Sequence, residues 1–427
     1  MQNIRFLARS AIRVTGLFPV VLACCLSCLH TVEAFGAAFE KPGTVSAQTL
    51  LKPEQLKGPY HTVNDAVRHD GLYFKYTVQS PFGSFQPTST FALDILIKEL
   101  DAIAAMKKVE TSDTAVQSLK ASGERTATGI KNLFTEPGET LEGAAEGVSN
   151  LFNRAKQTIG HRKTTETEDS KFAQVVGFTK SKGDIATKFG VSMYSSNQAL
   201  QEELDRLAMA DYLGGISVGA ATAAIPGVGG AVLTTSGSAR ILNDVINNTP
   251  PSRLWVQNKN KMKAMGFDPD TVELFLNNPV FTPALHTVLV SALESMKEVA
   301  NRDIFIKIGL QASNPDMART ITDMAVLAAG YHRQVAPLKR FAPMARVACG
   351  VKRDGTTVVL LPTDYLIWSE RIADVAENMA SRREKGGGNP EIWTLGTLSP
   401  QAKTAMKAQG WTVHEQAAAT LLAAKGR

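Results

Sequence analysis

The spacing of hydrophobic positions changes several times along this chain, and each spacing predicts a different element. At the N-terminus Arg5, Arg9 and Arg13 precede an apolar core running from Leu17 to Leu29, rich in Leu, Val, Ala and Cys. Val32-Glu33-Ala34 then places small residues at −3 and −1 of a cleavage between Ala34 and Phe35. This is the layout of a secretory signal peptide. The core is short for a membrane span, which needs about 20 apolar residues. Two other outcomes compete with cleavage: lipidation at Cys24 within Val21-Leu22-Ala23-Cys24, and an uncleaved anchor.

Beyond the signal, the segment 35–70 is punctuated by Pro and Gly. Gly71 to Val78 is rich in aromatic and β-branched residues, as a strand is, and Ser80-Pro81-Phe82-Gly83 closes it with a turn. Leu93, Leu96, Ile97, Leu100 and Ile103 recur at three and four residues, predicting an amphipathic helix capped by Ser89 or Thr90. Leu141, Ala145, Val148, Phe152, Ala155 and Ile159 continue that rhythm as a heptad-like seam, fit either for intradomain packing or for a partner. Residues 161–171 contain no apolar side chain and read as a linker.

The middle of the chain is helical in period. Leu200, Leu204, Leu207 and Ala208 share a face. From Tyr212 to Ala239 no residue is charged, and Gly215, Gly219, Ala223 and Gly227 recur every fourth position. That spacing is similar to glycine-zipper segments, in which small residues let helices approach closely. Pro226 breaks the run into arms too short to span a bilayer, so a packed helical hairpin and a membrane-inserting hairpin are both open readings. Asp268-Pro269 caps a short helix, and Leu285 to Val299 and Met317 to Tyr331 are two further amphipathic ones.

After residue 340 the pattern shifts to strands. Arg353-Asp354-Gly355 separates two β-branched runs, a hairpin signal. A helix over 365–384, a strand over 391–395, a helix opening at Ser399-Pro400 and a strand at Trp411–His414 follow. The expected architecture is mostly α, with an N-terminal signal peptide and a small C-terminal α/β (α+β) module. Its parts are a signal over 1–34, a strand-plus-helix region over 35–160, the linker 161–171, a helical domain over 172–340 and the module over 341–427.

Composition adds little to this. The chain has 427 residues, 44% hydrophobic and 20% charged, with a net charge of +6. No long basic run or basic aromatic stretch suggests nucleic acid as a partner. Of four cysteines, only Cys349 lies beyond the signal, so no internal disulfide is expected in the cleaved form.

The chemistry-bearing motifs are weak. Gly215-Ile216-Ser217-Val218-Gly219 matches the G-x-S-x-G nucleophile elbow, which needs a strand-to-helix turn. Here a helical period precedes it, and both glycines also fit the packing pattern. His286 and His332 lie on amphipathic helices and could meet Asp323 or Glu294 in space. A satisfied, partly buried histidine is the commoner outcome at such positions. His61, His69 and Asp70 form a loose cluster without zinc-ligand spacing, and Gly386-Gly387-Gly388 lacks the Lys of a phosphate loop. No metal site and no cofactor is implied.

The expected function is that of an exported protein, periplasmic or secreted, that binds or supports an envelope assembly without catalysis. Its partners would be envelope proteins, or membrane lipid if the 212–239 segment inserts. The enzymatic alternative is a hydrolase with Ser217 or His286/His332 at its site.

Overall fold

The computed structural model describes residues 39–109, 166–212, 245–344, 346–381 and 387–423. The helices and strands of these segments belong to one contact unit, Glu40–Arg427. The signal segment, the heptad-like seam, the 161–165 part of the linker and most of the Gly-rich run lie outside the described residues.

The first described segment is built from short strands. These are β1 (Thr44–Ser46), β2 (Lys57–Gly58), β3 (His61–Val63), β4 (Ala66–His69), β5 (Phe74–Lys75), β6 (Val78–Ser80) and β7 (Gly83–Phe85). They form two antiparallel sheets, ordered β1-β4-β5 and β2-β3-β6-β7. Helix α1 (Thr90–Lys107) follows, capped by the Ser89 hydroxyl, which accepts from the Ala92 N–H at 3.0 Å. Its buried Leu93, Leu96, Leu100 and Ile103 share a core with Val67 and Val78 of the strands and with Tyr76 between β5 and β6. Helices α2 (Glu166–Lys188) and α3 (Gln198–Tyr212) join that core.

A second core holds α4 (Pro251–Ala264), α5 (Pro269–Leu276), α6 (Pro283–Glu294), α7 (Ile304–Gly309) and α8 (Pro315–Gln334). Proline at the first turn and a side-chain cap start α5, α6 and α8 locally. For α8, the Asn314 carboxamide oxygen accepts from the Met317 N–H at 2.9 Å.

The C-terminal strands are β8 (Leu338–Met344), β9 (Val347–Lys352), β10 (Thr357–Leu361), β11 (Tyr365–Leu366), β12 (Glu391–Thr394), β13 (Thr397–Leu398) and β14 (Thr412–His414). Five of them form one sheet, ordered β14-β12-β10-β9-β8, in which β10, β12 and β14 run parallel. The Asp354-Gly355 turn joins antiparallel β9 and β10, with Gly355 at φ +85°. Strand alternation sends Ala348, Val358, Leu360 and Trp393 to the core of α5–α8. Cys349, Val359 and Ile392 face the other way, against α9 (Glu370–Ser381) and α10 (Pro400–Ala408). The sheet is thus covered on both faces by helices. A short α11 (Ala418–Leu421) closes the chain against α8.

This corrects the expectation of a mostly α chain with a small C-terminal module. Among the described residues helix accounts for about 50% and strand for 18%, in four sheets. The C-terminal sheet is no appendage either, because its inner face is the floor of the main helical core. The N-terminal strands escaped notice because two to four residues are too few to show a period. In addition, His61 and His69 fill inward positions where an apolar residue is expected. The strand expected over 71–78 is split between β5 and β6.

Gly330 marks a tight helix contact. A Cβ there would overlap the carbonyl of Leu421 in α11. Gly330→Ala is therefore expected to cost about 1–3 kcal/mol, the usual range for overpacking against backbone. Urea unfolding measures it, and an unchanged midpoint would show that α11 is not held against α8.

Candidate functional site

The carboxyl ends of parallel strands are where open α/β sheets place their ligands. In this sheet those ends, at Pro362 after β10 and Leu395 after β12, border a cleft of about 350 Å³. The β8–β9 turn, with Arg346, lies at the same end. The first three turns of α8 form one wall, and the β4–β5 connection and the start of α1 form the wall opposite.

That opposite wall is held by one side chain. Asp364, just past β10, accepts the Phe74 N–H at 3.1 Å and the Thr90 N–H at 3.1 and 3.2 Å. Burial pushes its carboxyl up to about 6 despite those bonds, with the Asp70 charge adding to the rise. Close by, His69 Nδ1 accepts from the Gly71 N–H at 3.2 Å, so Nε2 carries the proton it donates to the Tyr365 carbonyl at 2.7 Å.

Between these anchors lie Tyr73 and Ser89, both lining the cleft. The Tyr73 hydroxyl faces the Thr320 hydroxyl at 3.4 Å. Burial raises the Tyr73 pKa, and the charges of Asp323, Asp364 and Asp70 push the same way, so it is a neutral hydrogen-bonding group. Ser89 has φ +94° and ψ 150°, a region that suits glycine. Such strain costs roughly 1–3 kcal/mol and concentrates at functional sites. Asp70 and Lys75 pair at 3.2 Å on the same wall. Burial opposes ionisation of Asp70, but the Tyr73 and Leu72 N–H groups and the Lys75 charge keep it below the ordinary carboxylate range.

On the α8 wall, Arg319 and Asp323 stand one turn apart and both line the cleft. Among the described residues neither has a hydrogen bond or an ion pair within 4 Å. Burial pushes the Asp323 carboxyl up to about 6, and the positive charge of Arg319 only partly opposes the rise. Met317, Met324, Phe91 and Leu395 supply the apolar lining.

The structure separates the histidines from this cleft. His286 is buried in the second core, stacked on Phe281 at 5.1 Å, and its Nε2 donates to the Phe275 carbonyl at 3.0 Å. Burial lowers its pKa to about 4, so it is neutral. His332 sits in the last turn of α8, nine residues past Asp323 and so about 13 Å further along the axis. Its Nδ1 accepts from the Leu338 N–H at 3.0 Å. Glu294 pairs with Lys261 at 2.7 Å. Of the catalytic candidates named from the sequence, Asp323 lines the cleft, and so does Asp70 of the loose His61, His69 and Asp70 cluster. Ser217, Gly215, Gly219, Ala223 and Gly227 lie outside the described residues. Among the described residues no group of three or more His, Cys, Asp or Glu could hold a metal ion, and no helix is long and apolar enough to cross a membrane.

Arg319, Tyr73, Ser89 and Asp364 were not apparent from the sequence. Ser89 was noted there only as a helix cap. No family model matches the chain, and neither a curated protein nor a solved structure matches it.

The raised Asp323 pKa fixes a sign. Between the ordinary 3.8 and about 6 the folded state holds a proton that the unfolded chain has released. Stability contributed by this group therefore falls as pH rises through that window, and the full penalty applies above it. Asp323→Asn removes the penalty. We expect the variant to be more stable than the parent by about 1–2 kcal/mol at pH 7.5, after discounting for partial solvent access. The gain should shrink toward zero by pH 4. Urea unfolding at the two pH values checks it, and a gain that does not change with pH would contradict the assignment.

Proposed function

We propose that this is an exported binding protein whose small ligand enters the cleft between α8 and the β4–β5 wall. The observation that carries the reading is the pair Arg319 and Asp323, two half-buried charges that line one cleft without protein partners among the described residues. Leaving charges partly desolvated and unpaired opposes folding, and a ligand that pairs with them offsets that cost. The strained Ser89 backbone on the facing wall supports the same place. Binding is favoured over turnover because His286 and His332, the sequence's acid–base candidates, are each committed to a backbone hydrogen bond elsewhere. Export rests on the Arg5–Ala34 pattern alone. Envelope components are the partners that compartment would offer.

Two measurements test the reading. Expressed from the full-length gene in a bacterium with two membranes, the protein is expected in the periplasm or medium, beginning at Phe35 by mass spectrometry. Recovery in the cytoplasm with residue 1 intact would remove the export half. For the binding half, a thermal-shift screen against polar metabolites should give at least one stabilising compound. A ligand at 100 times its Kd adds about 2.7 kcal/mol. Thr320→Trp, which fills the cleft, should abolish that shift; a shift that survives it places the ligand elsewhere.

A further inference from the structure

We infer that the cleft recognises a small zwitterion of the amino-acid or short-peptide class, its carboxylate on Arg319 and Arg346 and its ammonium on Asp323. This deepens the binding reading above and rests on it.

The argument starts from a missing interaction. Arg319 and Asp323 are four residues apart on one face of α8, the spacing at which opposite charges ordinarily pair. They do not pair within 4 Å, although both line the same cleft. The order matters: with the cation N-terminal to the acid, the pair runs against the helix dipole and is the weaker orientation. Each group therefore keeps its hydrogen-bonding capacity. A guanidinium offers five N–H donors in a planar fork that matches a carboxylate, and an ionised carboxylate accepts from an ammonium N–H.

The remaining charges around the cleft leave this arrangement intact. Lys75 is engaged by Asp70 on the far wall. Asp316 is exposed in the first turn of α8, where the helix N-terminus accommodates an acid. Arg346, at the β8–β9 turn, has no ion pair among the described residues and adds a second guanidinium at the sheet end. Glu99 feels the charge of Arg319, but its carboxylate is held by Ser195 at 2.6 Å and Asn197 at 3.1 Å. A purely anionic ligand would leave Asp323 repelling it. A purely cationic one would face the two arginines. A ligand carrying both signs satisfies each wall group, and Tyr73 and Thr320 offer neutral hydroxyls between the charges. Met317, Met324 and Phe91 give its side chain an apolar seat. The volume of about 350 Å³ suits a ligand of that size.

The test is calorimetric titration of the purified protein with the twenty common amino acids and with alanyl-alanine. The decarboxylated amine and deaminated acid of every binder are titrated beside it. At least one zwitterion is expected to bind saturably, with both single-charge counterparts weaker by tenfold or more. Arg319→Gln and Asp323→Asn should each weaken the zwitterion by at least tenfold while the far-ultraviolet spectrum stays unchanged. Arg319→Lys should recover part of the affinity, since it keeps the charge and loses the fork. If no zwitterion binds, the inference falls. It falls also if the deaminated acid binds as tightly as its parent, but then the cleft stands as a ligand site. If the metabolite screen is empty as well, the binding reading falls with it.

Discussion

One carboxylate holds this molecule's two halves in register. Asp364 lies where β10 gives way to loop, and it accepts N–H groups 290 and 274 positions earlier in the chain. Unsatisfied, each of those donors would cost roughly 1–3 kcal/mol in a partly buried setting. Phe74 is adjacent to Tyr73 and Thr90 to Ser89, so the same bonds set the wall of the cleft. The contact is reinforced by the Glu40 carboxylate, which accepts from the Trp368 N–H at 2.6 Å and from the Ser399 hydroxyl. Gly396 completes the arrangement, because a Cβ there would overlap the Asp364 carbonyl.

The site that results is one of opposed tendencies. Hydrogen bonds and apolar packing position its walls firmly, and the groups they position are ones that folding alone would not favour. Ser89 sits in a glycine conformation, and Arg319 and Asp323 face a cleft with their charges unmatched. Asp70 and Lys75, on the opposite wall, show what a resolved pair looks like in the same surroundings. The satisfied pair on one wall and the unpaired charges on the other make α8 the wall with free charge, the feature on which the proposed ligand site rests.

What could be read from the sequence divides along a physical line. Helix starts at Ser89, Asp268 and Ser399 depend on a side chain reaching three residues ahead, so the local pattern contains them. The Asp354-Gly355 turn is local in the same sense. The β1–β7 sheets depend on pairings between two- to four-residue strands, whose inward histidines disguise the alternation. The covering of the C-terminal sheet by α5–α8 was hidden too, since a run such as Thr357–Leu361 does not disclose which helices will lie on it. Asp323 was visible as one acid on an amphipathic helix. Its importance comes from Tyr73, Arg346 and Leu395, which only the topology brings near. His286 and His332 illustrate the converse: each has the chemistry of a site and the surroundings of a structural residue.

The docking of α11 on α8 has a kinetic consequence. Helix α8 takes its closing contact at Gly330 from residue 421, while its first turns face Tyr73 and Ser89 and its middle packs on β10. A ribosome that has delivered α8 has yet to make the strands and the short helix that bury it. Helix α6, made earlier, can already pack on α8, but the face of α8 that meets β10 and α11 stays uncovered until those elements are made, at synthesis rates on the order of 5–20 residues per second. The closing contact of α8 therefore forms only once the last described helix has been made.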